Sequence, residues 1–262
     1  MMLEIDAGGT YLRAKIYKKG VEQKSYKTKS AEIGLAEWME PIIAENDEIK
    51  TINISFAGQV CGDKIISSPN IKIDKKDIKN YFQERFDVEV FIYNDLNYVA
   101  LKKAEYFKSD NIAVIYVGTG LGLGVVSSGR LISGMGGVAT EIGHIPYKKA
   151  PFVCGCGKDN CMELFASGIA LSKWKRYLNI DDDIDLEGLK EMRSDIYKEF
   201  EEALLYATAT TITLFNPEIL LLGGGVIQNN PYLVEIIKEK IVQYAMGITL
   251  ENVKIVGDLK DG

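Results

Sequence analysis

The apolar residues of the chain follow two spacings, one typical of buried strands and one typical of amphipathic helices. Short apolar runs predict strands at residues 3–5, 11–17, 49–56, 88–93, 112–117, 219–222 and 253–256. Helical spacing, seen for example in Leu35, Met39 and Ile42, predicts helices at residues 35–43, 96–107, 164–178, 194–215 and 232–244. Most residues with candidate chemistry lie where one of these segments ends.

Composition limits the class of protein. The chain has 262 residues, a formal net charge of -6 and 47% hydrophobic residues, which suits one large or two small domains with real cores. The acidic balance argues against nucleic acid as a main partner. No apolar run approaches the roughly 20 residues that a membrane-spanning helix needs. The sequence begins directly with a strand-like run, without a signal-peptide pattern, so we expect a cytoplasmic protein with reduced cysteines.

One segment contains the sole histidine and three of the four cysteines. His144, Cys154, Cys156 and Cys161 follow the pattern H-x9-C-x-C-x4-C. Three thiolates and an imidazole at this range form a closed tetrahedral ligand set, and soft sulfur with imidazole favours zinc over magnesium or calcium. Four protein ligands leave no open position, so the zinc is expected to hold a loop in place and not to activate water. Two alternatives remain, namely cysteines buried as small apolar residues and a disulfide.

A first glycine turn, in the sequence DAGGT, lies between the two N-terminal strands. Glycine allows a tight turn and lets backbone N–H groups approach an anion closely, as Gly8 and Gly9 could do here. Asp6 could hold a magnesium ion through water, and Thr10 could donate to a phosphate group. An ordinary hairpin turn accounts for the same residues, so both interpretations stay open at this point.

Two further glycine-rich turns occur in the second half of the chain. The sequence GTGLGLG continues as a strand, so it is not the dinucleotide-binding pattern that opens a helix. It predicts a second phosphate-binding hairpin, with a purely structural hairpin as the alternative. The GGG sequence after the strand at 219–222 would let the backbone lie against a flat ligand. The candidate residues in the two turns are Gly118, Thr119, Gly120, Gly223, Gly224 and Gly225.

The strand at 88–93 runs into Asn94 and Asp95, directly before a predicted helix. In α/β folds, binding sites form at the carboxyl ends of strands, where such a carboxylate lies. Aspartate is also a common N-cap of a helix, and taken alone that role is the better explanation of Asp95.

Together these motifs resemble the ROK family of sugar kinases, over almost the whole chain. The segments ATEIGH and CGCGKDNCMELFASG are similar to the family's sugar-binding Glu-Ile-Gly-His sequence and its zinc-bound cysteine motif. NDLNYVAL resembles the catalytic Asn-Asp-x-Asn-x-x-Ala segment. The two glycine hairpins resemble the phosphate loops of the actin-like ATPases. The family pattern continues into a last helix beyond residues 257–258, whereas this sequence stops at residue 262.

The resemblance implies a two-lobed α/β fold of the actin-like ATPase (ribonuclease H-like) type with an active-site cleft between the lobes. Residues 1–109 would form the lobe with the first phosphate hairpin and the catalytic aspartate. Residues 110–262 would form the lobe with the second hairpin, the zinc motif and the adenosine motif. The implied cofactors are ATP, Mg²⁺ and Zn²⁺, and the implied assembly is a homodimer.

The resemblance also implies the reaction, a transfer of the γ-phosphoryl group of ATP to a hexose, most simply to the 6-hydroxyl of glucose. Asp95 would be the general base. Asp6, with a hydrated magnesium ion, and the two hairpins would bind the phosphates, and the glycines at 223–225 would pack on the adenosine. The residues expected to hold sugar hydroxyls are Asn70, Asn94, Glu141, His144 and Glu163.

Several positions depart from the family pattern and keep the substrate open. Thr140 and Asn160 each stand where the family usually has glycine, and Gln59 stands where it often has proline. The aromatic residue that often follows the Pro69-Asn70 pair is absent. Kinases of N-acetylated hexosamines, of fructose or of mannose therefore remain open, and Asn70 could be a turn residue.

A sugar-binding sensor without catalysis is the alternative from another class of protein. The repressors of the family carry a helix-turn-helix domain ahead of the kinase-like part. With a first strand at residue 3, we expect no room for such a domain here.

Overall fold

The chain divides into two compact units. The structure, a computed structural model, describes residues 1–62, 64–68, 70–192 and 194–258. The first unit consists of Met1–Tyr98 and Ser133–Ala139, and the second of Val99–Ile132 and the chain from Thr140 onward. The division into lobes at residues 1–109 and 110–262 remains a prediction. The two compact units have different bounds from these lobes in two respects. The helix that begins at Asp95 is shared by both units, and the segment 133–139 belongs to the first unit because it packs there.

The first unit is built on a five-stranded sheet and a small hairpin. Its elements in chain order are β1 (Met2–Ala7), β2 (Tyr11–Lys18), β3 (Val21–Lys29), α1 (Leu35–Ala44), β4 (Thr51–Phe56), β5 (Gln59–Cys61), β6 (Lys64–Ser67), α2 (Ile78–Gln83) and β7 (Glu89–Asn94), and the shared helix is α3 (Asp95–Phe107). The strand order in the large sheet is β3-β2-β1-β4-β7. β1, β4 and β7 are parallel, so their carboxyl ends lie at one edge of the sheet.

The second unit repeats this strand arrangement. Its elements are β8 (Ile112–Val117), β9 (Leu121–Ser127), β10 (Arg130–Leu131), α4 (Gly168–Tyr177), α5 (Leu186–Glu191), α6 (Asp195–Phe215), β11 (Ile219–Gly223), α7 (Gly225–Asn229), α8 (Tyr232–Lys240), α9 (Gly247–Leu250) and β12 (Lys254–Gly257). The order is β10-β9-β8-β11-β12, with β8 and β9 antiparallel and β8, β11 and β12 parallel. In each unit a glycine turn therefore joins the first two antiparallel strands of a sheet that continues with two parallel strands.

Each unit has its own apolar core. In the first unit, buried Leu and Ile side chains of β1, β2 and β4 pack against α1. In the second, β8, β11 and the long helix α6 supply most of the buried side chains. Burial of this kind, worth roughly 25 cal/mol per Å² of apolar surface, is the main source of stability in such units. Among the described helices, none combines the length and apolar character that a bilayer span requires.

Candidate functional site

The carboxyl edge of the first sheet carries the aspartates that the sequence singled out. Asp6 lies on β1 directly opposite Arg13 of β2, and Arg13 Nη1 donates to Asp6 Oδ2 at 2.8 Å. Both side chains are about half exposed. Sequence reasoning missed Arg13, although the register of a two-strand hairpin with a short turn would have placed it beside Asp6.

The turn after β1 is closed by a backbone hydrogen bond and covered by Asn70. The Gly8 N–H donates to the Tyr11 carbonyl at 3.1 Å. A Cβ atom on Gly9 would lie 3.3 Å from Asn70 Nδ2, so the Asn70 side chain packs against this turn. The expected partner of Asn70 in the family motif, Pro69, lies outside the described residues.

Asn94 and Asp95 mark the junction of β7 and α3. Asn94 Oδ1 accepts from the N–H groups of Leu96 (3.1 Å) and Asn97 (3.4 Å), and its Nδ2 donates to the Gly58 carbonyl at 3.3 Å. Asn94 therefore caps the helix, the role that the sequence also allowed for Asp95. Asp95 Oδ1 accepts from the Leu96 N–H at 2.8 Å.

The environment of Asp95 favours its protonated form. Although the Asp95 residue is itself exposed, the protein groups around its carboxyl displace part of its water and raise its pKa. The hydrogen bond from the Leu96 N–H opposes this rise, and the negative charge of Asp6 adds to it. A carboxyl group with a raised pKa accepts a proton more readily than an ordinary aspartate, as a general base requires.

In the second unit, the glycine hairpin between β8 and β9 is held by its neighbours. The Gly118 N–H donates to the Gly120 carbonyl at 3.0 Å. The carbonyls of Gly118 and Thr119 accept from the N–H groups of Gly168 (2.8 Å) and Ile169 (3.2 Å) at the start of α4. The hairpin is thereby fixed against the first turn of this helix.

The glycines after β11 are required by close contacts. A Cβ atom on Gly223 would lie 2.4 Å from the Tyr116 ring, so the backbone is in contact with that ring. Gly224 has a φ of 87°, in the left-handed region that favours glycine, and a Cβ there would lie 2.6 Å from the Val117 carbonyl oxygen. Gly225 then begins α7.

Both glycine turns of the second unit line the same cavity, of about 580 Å³. Sequence reasoning predicted each turn separately, but it gave no signal for the two basic residues of α4 that line the cavity with them. The lining residues are Gly118, Thr119, Gly168, Ile169, Ser172, Lys173, Arg176, Gly225 and Val226. A smaller cavity of about 240 Å³ shares Gly168 and Gly225 with it and also contains Asp185 and Asn229. Both cations already have partners, because Lys173 Nζ donates to the Val153 carbonyl at 3.1 Å and Arg176 Nε lies 3.9 Å from Asp182 Oδ2. A ligand in the cavity would therefore meet mainly the glycine backbone and the side chains of Ile169 and Val226.

The four predicted zinc ligands converge. The Sγ atoms of Cys154, Cys156 and Cys161 and a ring nitrogen of His144 all lie within 4.8 Å of one another. Cys154 Sγ is 3.6 Å from His144 Nδ1, and Cys156 Sγ is 3.3 Å from Cys161 Sγ. Tetrahedral zinc with Zn–S bonds of about 2.3 Å places its sulfurs about 3.8 Å apart, so these residues fit the ion. The structure describes all four cysteines as free, which argues against the disulfide alternative.

The thiols of this cluster differ in their acidity. Burial raises the pKa of Cys154, and it raises the pKa of Cys161 to about 12. The pKa of the exposed Cys156 is lowered, mainly because the Lys158 N–H donates to its sulfur. Two buried thiols that resist ionisation need a cation to become thiolates, as a zinc ion provides.

Glu163 joins the cysteine segment to the second hairpin. Its Oε2 accepts from the Leu121 N–H at 3.1 Å, and Cys154 Sγ donates to its Oε1 at 3.5 Å. A Cβ atom on Gly120 would lie 2.4 Å from the same Oε2, so the carboxylate fills the space that this glycine leaves.

The segment around His144 packs on the same strand end. Gly143 is needed there, because a Cβ would lie 2.4 Å from the Leu121 carbonyl oxygen. While His144 Nδ1 faces the sulfurs, its Nε2 lies 3.9 Å from Glu141 Oε2. The imidazole thus presents one nitrogen to the cysteine cluster and the other to a carboxylate. Thr140, just before Glu141, has a φ of 67°, which explains why the family pattern prefers glycine at this position.

Comparison with known proteins identifies the family. The family profile described as ROK family matches residues 2–260. The chain belongs to the ROK family. A xylose repressor of Bacillus spizizenii is 29% identical over 186 residues, which cover 68% of this chain and 48% of the repressor. An N-acetyl-D-glucosamine kinase of Histophilus somni is 28% identical over 286 residues, which cover 94% of this chain and 90% of the kinase.

The solved structures of ROK proteins share the fold. The ROK hexokinase from Thermus thermophilus matches with a TM-score of 0.81 at 22% identity, over 98% of this chain and 92% of that chain. The actin-like ATPase fold predicted from the sequence is therefore confirmed. The chain spans about half the length of the xylose repressors that it matches.

Proposed function

We propose that this ROK family protein is an ATP-dependent hexose kinase, and most simply that it phosphorylates the 6-hydroxyl of glucose. The observation that carries the proposal is the placement of Asp95 at the carboxyl edge of the first sheet, with a raised pKa and with Asp6 on the same edge. A proton acceptor beside a carboxylate that can hold hydrated Mg²⁺ is the arrangement that phosphoryl transfer to an alcohol needs.

In the proposed reaction, Asp95 removes the proton of the sugar hydroxyl while the oxygen of that hydroxyl forms a bond to the γ-phosphorus of ATP. The bond between that phosphorus and the bridging oxygen breaks, and the products are a sugar phosphate and ADP. General-base help of this kind is typically worth about 10²–10⁴ in rate. The hydrogen bond from the Leu96 N–H keeps the carboxylate in a fixed orientation.

The nucleotide would bind in the cavity of the second unit. The backbone of residues 118–120 would meet the phosphates, and the turn at 223–225 would lie along the adenosine. Mg²⁺ neutralises phosphate charge when it is bound with ATP. Asp6, held in place by Arg13, would contact the hydrated ion.

In the second unit the sugar would be held by Glu141, His144 and Glu163, and in the first unit Asn70 and Asn94 stay predicted sugar ligands. Zn²⁺ would be bound by the imidazole and the three thiolates, and its chemistry is structural because the ligand set is closed. His144 would then offer Nε2 to a hydroxyl. With Cys154 held as a thiolate, its sulfur would no longer donate to Glu163 Oε1, and this oxygen would be available to a sugar hydroxyl.

The proposal is tested by ADP release from MgATP with glucose, mannose, fructose, N-acetylglucosamine and N-acetylmannosamine. We expect turnover that depends on sugar, with glucose giving the highest kcat/KM. No turnover with any of these sugars in zinc-loaded protein would overturn the proposal.

N-acetylglucosamine is the second candidate substrate. It is favoured by the match to the N-acetyl-D-glucosamine kinase, which spans nearly all of both chains. Residues 71–73, Ile-Lys-Ile, also lack the aromatic side chain that often follows Asn70 in the family. A kcat/KM for N-acetylglucosamine above that for glucose would select this candidate.

A non-catalytic, sugar-responsive protein is the candidate from another class, and the match to the xylose repressors favours it. Calorimetry and the ADP assay together distinguish it from a kinase, because a sensor would bind a sugar in the calorimeter and release no ADP in the assay.

We also propose a homodimer, which light scattering of the purified protein would test.

A further inference from the structure

The carboxylate of Asp258 contacts two different elements, α3 and β8. Asp258, directly after β12, accepts from Lys103 Nζ of α3 at 2.6 Å through Oδ1, and Tyr116 Oη of β8 donates to its Oδ2. The backbone of Asp258 is also fixed, because its N–H donates to the Leu222 carbonyl at 2.7 Å and its carbonyl accepts from Gln228 Nε2 at 3.2 Å.

This pair is not an ordinary surface ion pair. The side chains of Lys103 and Asp258 are 29% and 19% exposed, whereas surface ion pairs such as Arg13–Asp6, Lys18–Glu48 and Lys50–Asp87 are about half exposed or more. Charge-assisted hydrogen bonds in a partly buried setting are short and only weakly screened by salt. Removal of one partner leaves the other charge without compensation.

Each partner of Asp258 leads to a part of the proposed active site. The Tyr116 ring lies against Gly223, so the tyrosine supports the glycine turn at 223–225. Lys103 lies on α3, about two turns after Asp95, which begins the same continuous helix. The Asp258 side chain thus connects Tyr116, which packs against the glycine turn, with α3, which begins at Asp95.

We propose that Asp258 is a positioning residue that ties α3, through Lys103, to the glycine turn of the nucleotide site, through Tyr116. The inference rests on the proposed function. Nucleotide bound at the turn restrains Tyr116 and Asp258, and Asp258 transmits this restraint to α3. By linkage, the same contact makes the position of α3 affect nucleotide binding.

Hydrogen exchange of the α3 amides, with and without a nonhydrolysable ATP analogue, tests the proposal directly. In the wild-type protein we expect the analogue to slow exchange in α3. In Asp258→Asn, Lys103→Met and Tyr116→Phe we expect this response to fall about tenfold. Lys238→Met is the control, because it breaks an exposed ion pair with Glu235 on α8 (2.8 Å), and it should leave the α3 response unchanged.

Kinetics separate positioning from general stability. Lys103→Met should lower kcat about tenfold with little change in the KM for ATP, and Lys103→Arg should restore most of kcat. An unchanged α3 response in all three variants, or equal kinetic effects in Lys238→Met, would overturn the proposal.

Failure of the role proposed for Asp258 can be told apart from failure of the proposed kinase function. If calorimetry shows no binding of the analogue to wild-type protein, the nucleotide site is wrong. Hydrogen exchange of the α3 amides without nucleotide then tests whether the contact between Asp258 and Lys103 holds α3 in place. Faster α3 exchange in Lys103→Met and Asp258→Asn than in Lys238→Met supports the tie, and equal exchange rejects it.

Discussion

Glu163 Oε2 accepts a hydrogen bond from the Leu121 N–H at 3.1 Å, and this bond fastens the cysteine segment to the second glycine hairpin. On the other side of the same residue, the Leu121 carbonyl lies against Gly143. Two segments that are separate in sequence therefore meet at one strand end. A metal that orders the cysteine segment also orders the hairpin that is proposed to bind phosphate.

Gly143→Ala tests this close contact. The new Cβ would lie 2.4 Å from the Leu121 carbonyl oxygen, so the backbone must shift, and we expect a loss of about 1–3 kcal/mol in the free energy of unfolding. Gly155→Ala is the matched control in the same segment, because a Cβ there meets nothing within 4 Å. Denaturant unfolding of both variants measures the difference, and equal stabilities would contradict the contact.

The zinc site is tested by Cys156→Ala. Cys156 is exposed, so its replacement creates no buried cavity and, apart from the metal, removes only the hydrogen bond from the Lys158 N–H and the contact with Cys161 Sγ. We expect wild-type protein purified without chelator to contain about one zinc per chain, and the variant to contain far less and to melt at a lower temperature. Cys61→Ala, outside the cluster, should retain its zinc. Metal analysis that finds no zinc in the wild type would refute the site.

Asp95→Asn tests the general base. If the wild type turns over, we expect kcat to fall by about 10²–10⁴ while substrates still bind. Because the pKa of Asp95 is raised, kcat/KM of the wild type should fall on acidification at a pH above the ordinary aspartate value of about 3.9. Asp87→Asn removes an exposed carboxylate of the same unit and should be nearly neutral. Near wild-type turnover in Asp95→Asn would exclude the role.

The same variant has a predicted effect on stability. A carboxyl whose pKa is raised on folding lowers the stability of the folded state as the pH rises above its unfolded pKa, and the loss is complete above its folded pKa, because the charged form is disfavoured in the folded state. Asp95→Asn should therefore melt at a higher temperature than the wild type at neutral pH, and the gain should vanish below the unfolded pKa. A lower melting temperature at neutral pH would show that the charge of Asp95 is well accommodated.

Thr140→Gly should stabilise the protein. Thr140 has a φ of 67°, where a β-branched residue is strained by about 1–2 kcal/mol. Glycine relieves the strain and loses about 0.5–1 kcal/mol of backbone entropy on folding, so we expect a net gain of up to about 1 kcal/mol. Thr140→Ala keeps the Cβ and should not gain. Thermal unfolding compares the two, and equal effects would reject the strain argument.

The elements with a buried face were predictable from the sequence. The predicted strands at 112–117 and 219–222 are present as β8 and β11, because uninterrupted apolar runs leave few alternatives. β3 was not predicted, since most of its residues are exposed and no apolar alternation marks it. The helix predicted at 164–178 begins later, as α4, because the Ser167 side chain accepts from the Ala170 N–H and caps it.

The part of the candidate site that could be predicted is the part whose ligand residues lie in one short segment of the sequence. The zinc ligands are close in sequence, and the structure brings all four together. The partners of Asp6 and Asp258 depend on strand register and on contacts between distant segments. Arg13, the partner of Asp6, could have been found only from the register of the β1–β2 hairpin, and Lys103, the partner of Asp258, gave no signal in the sequence.

The most direct test of the hexose kinase is transfer of labelled phosphate from [γ-³²P]ATP to the sugar that is preferred in the panel. We expect zinc-loaded wild-type protein to form one labelled sugar 6-phosphate for each ADP, and Asp95→Asn to form almost none. Release of labelled inorganic phosphate without a sugar phosphate, or sugar binding without any transfer, would contradict it.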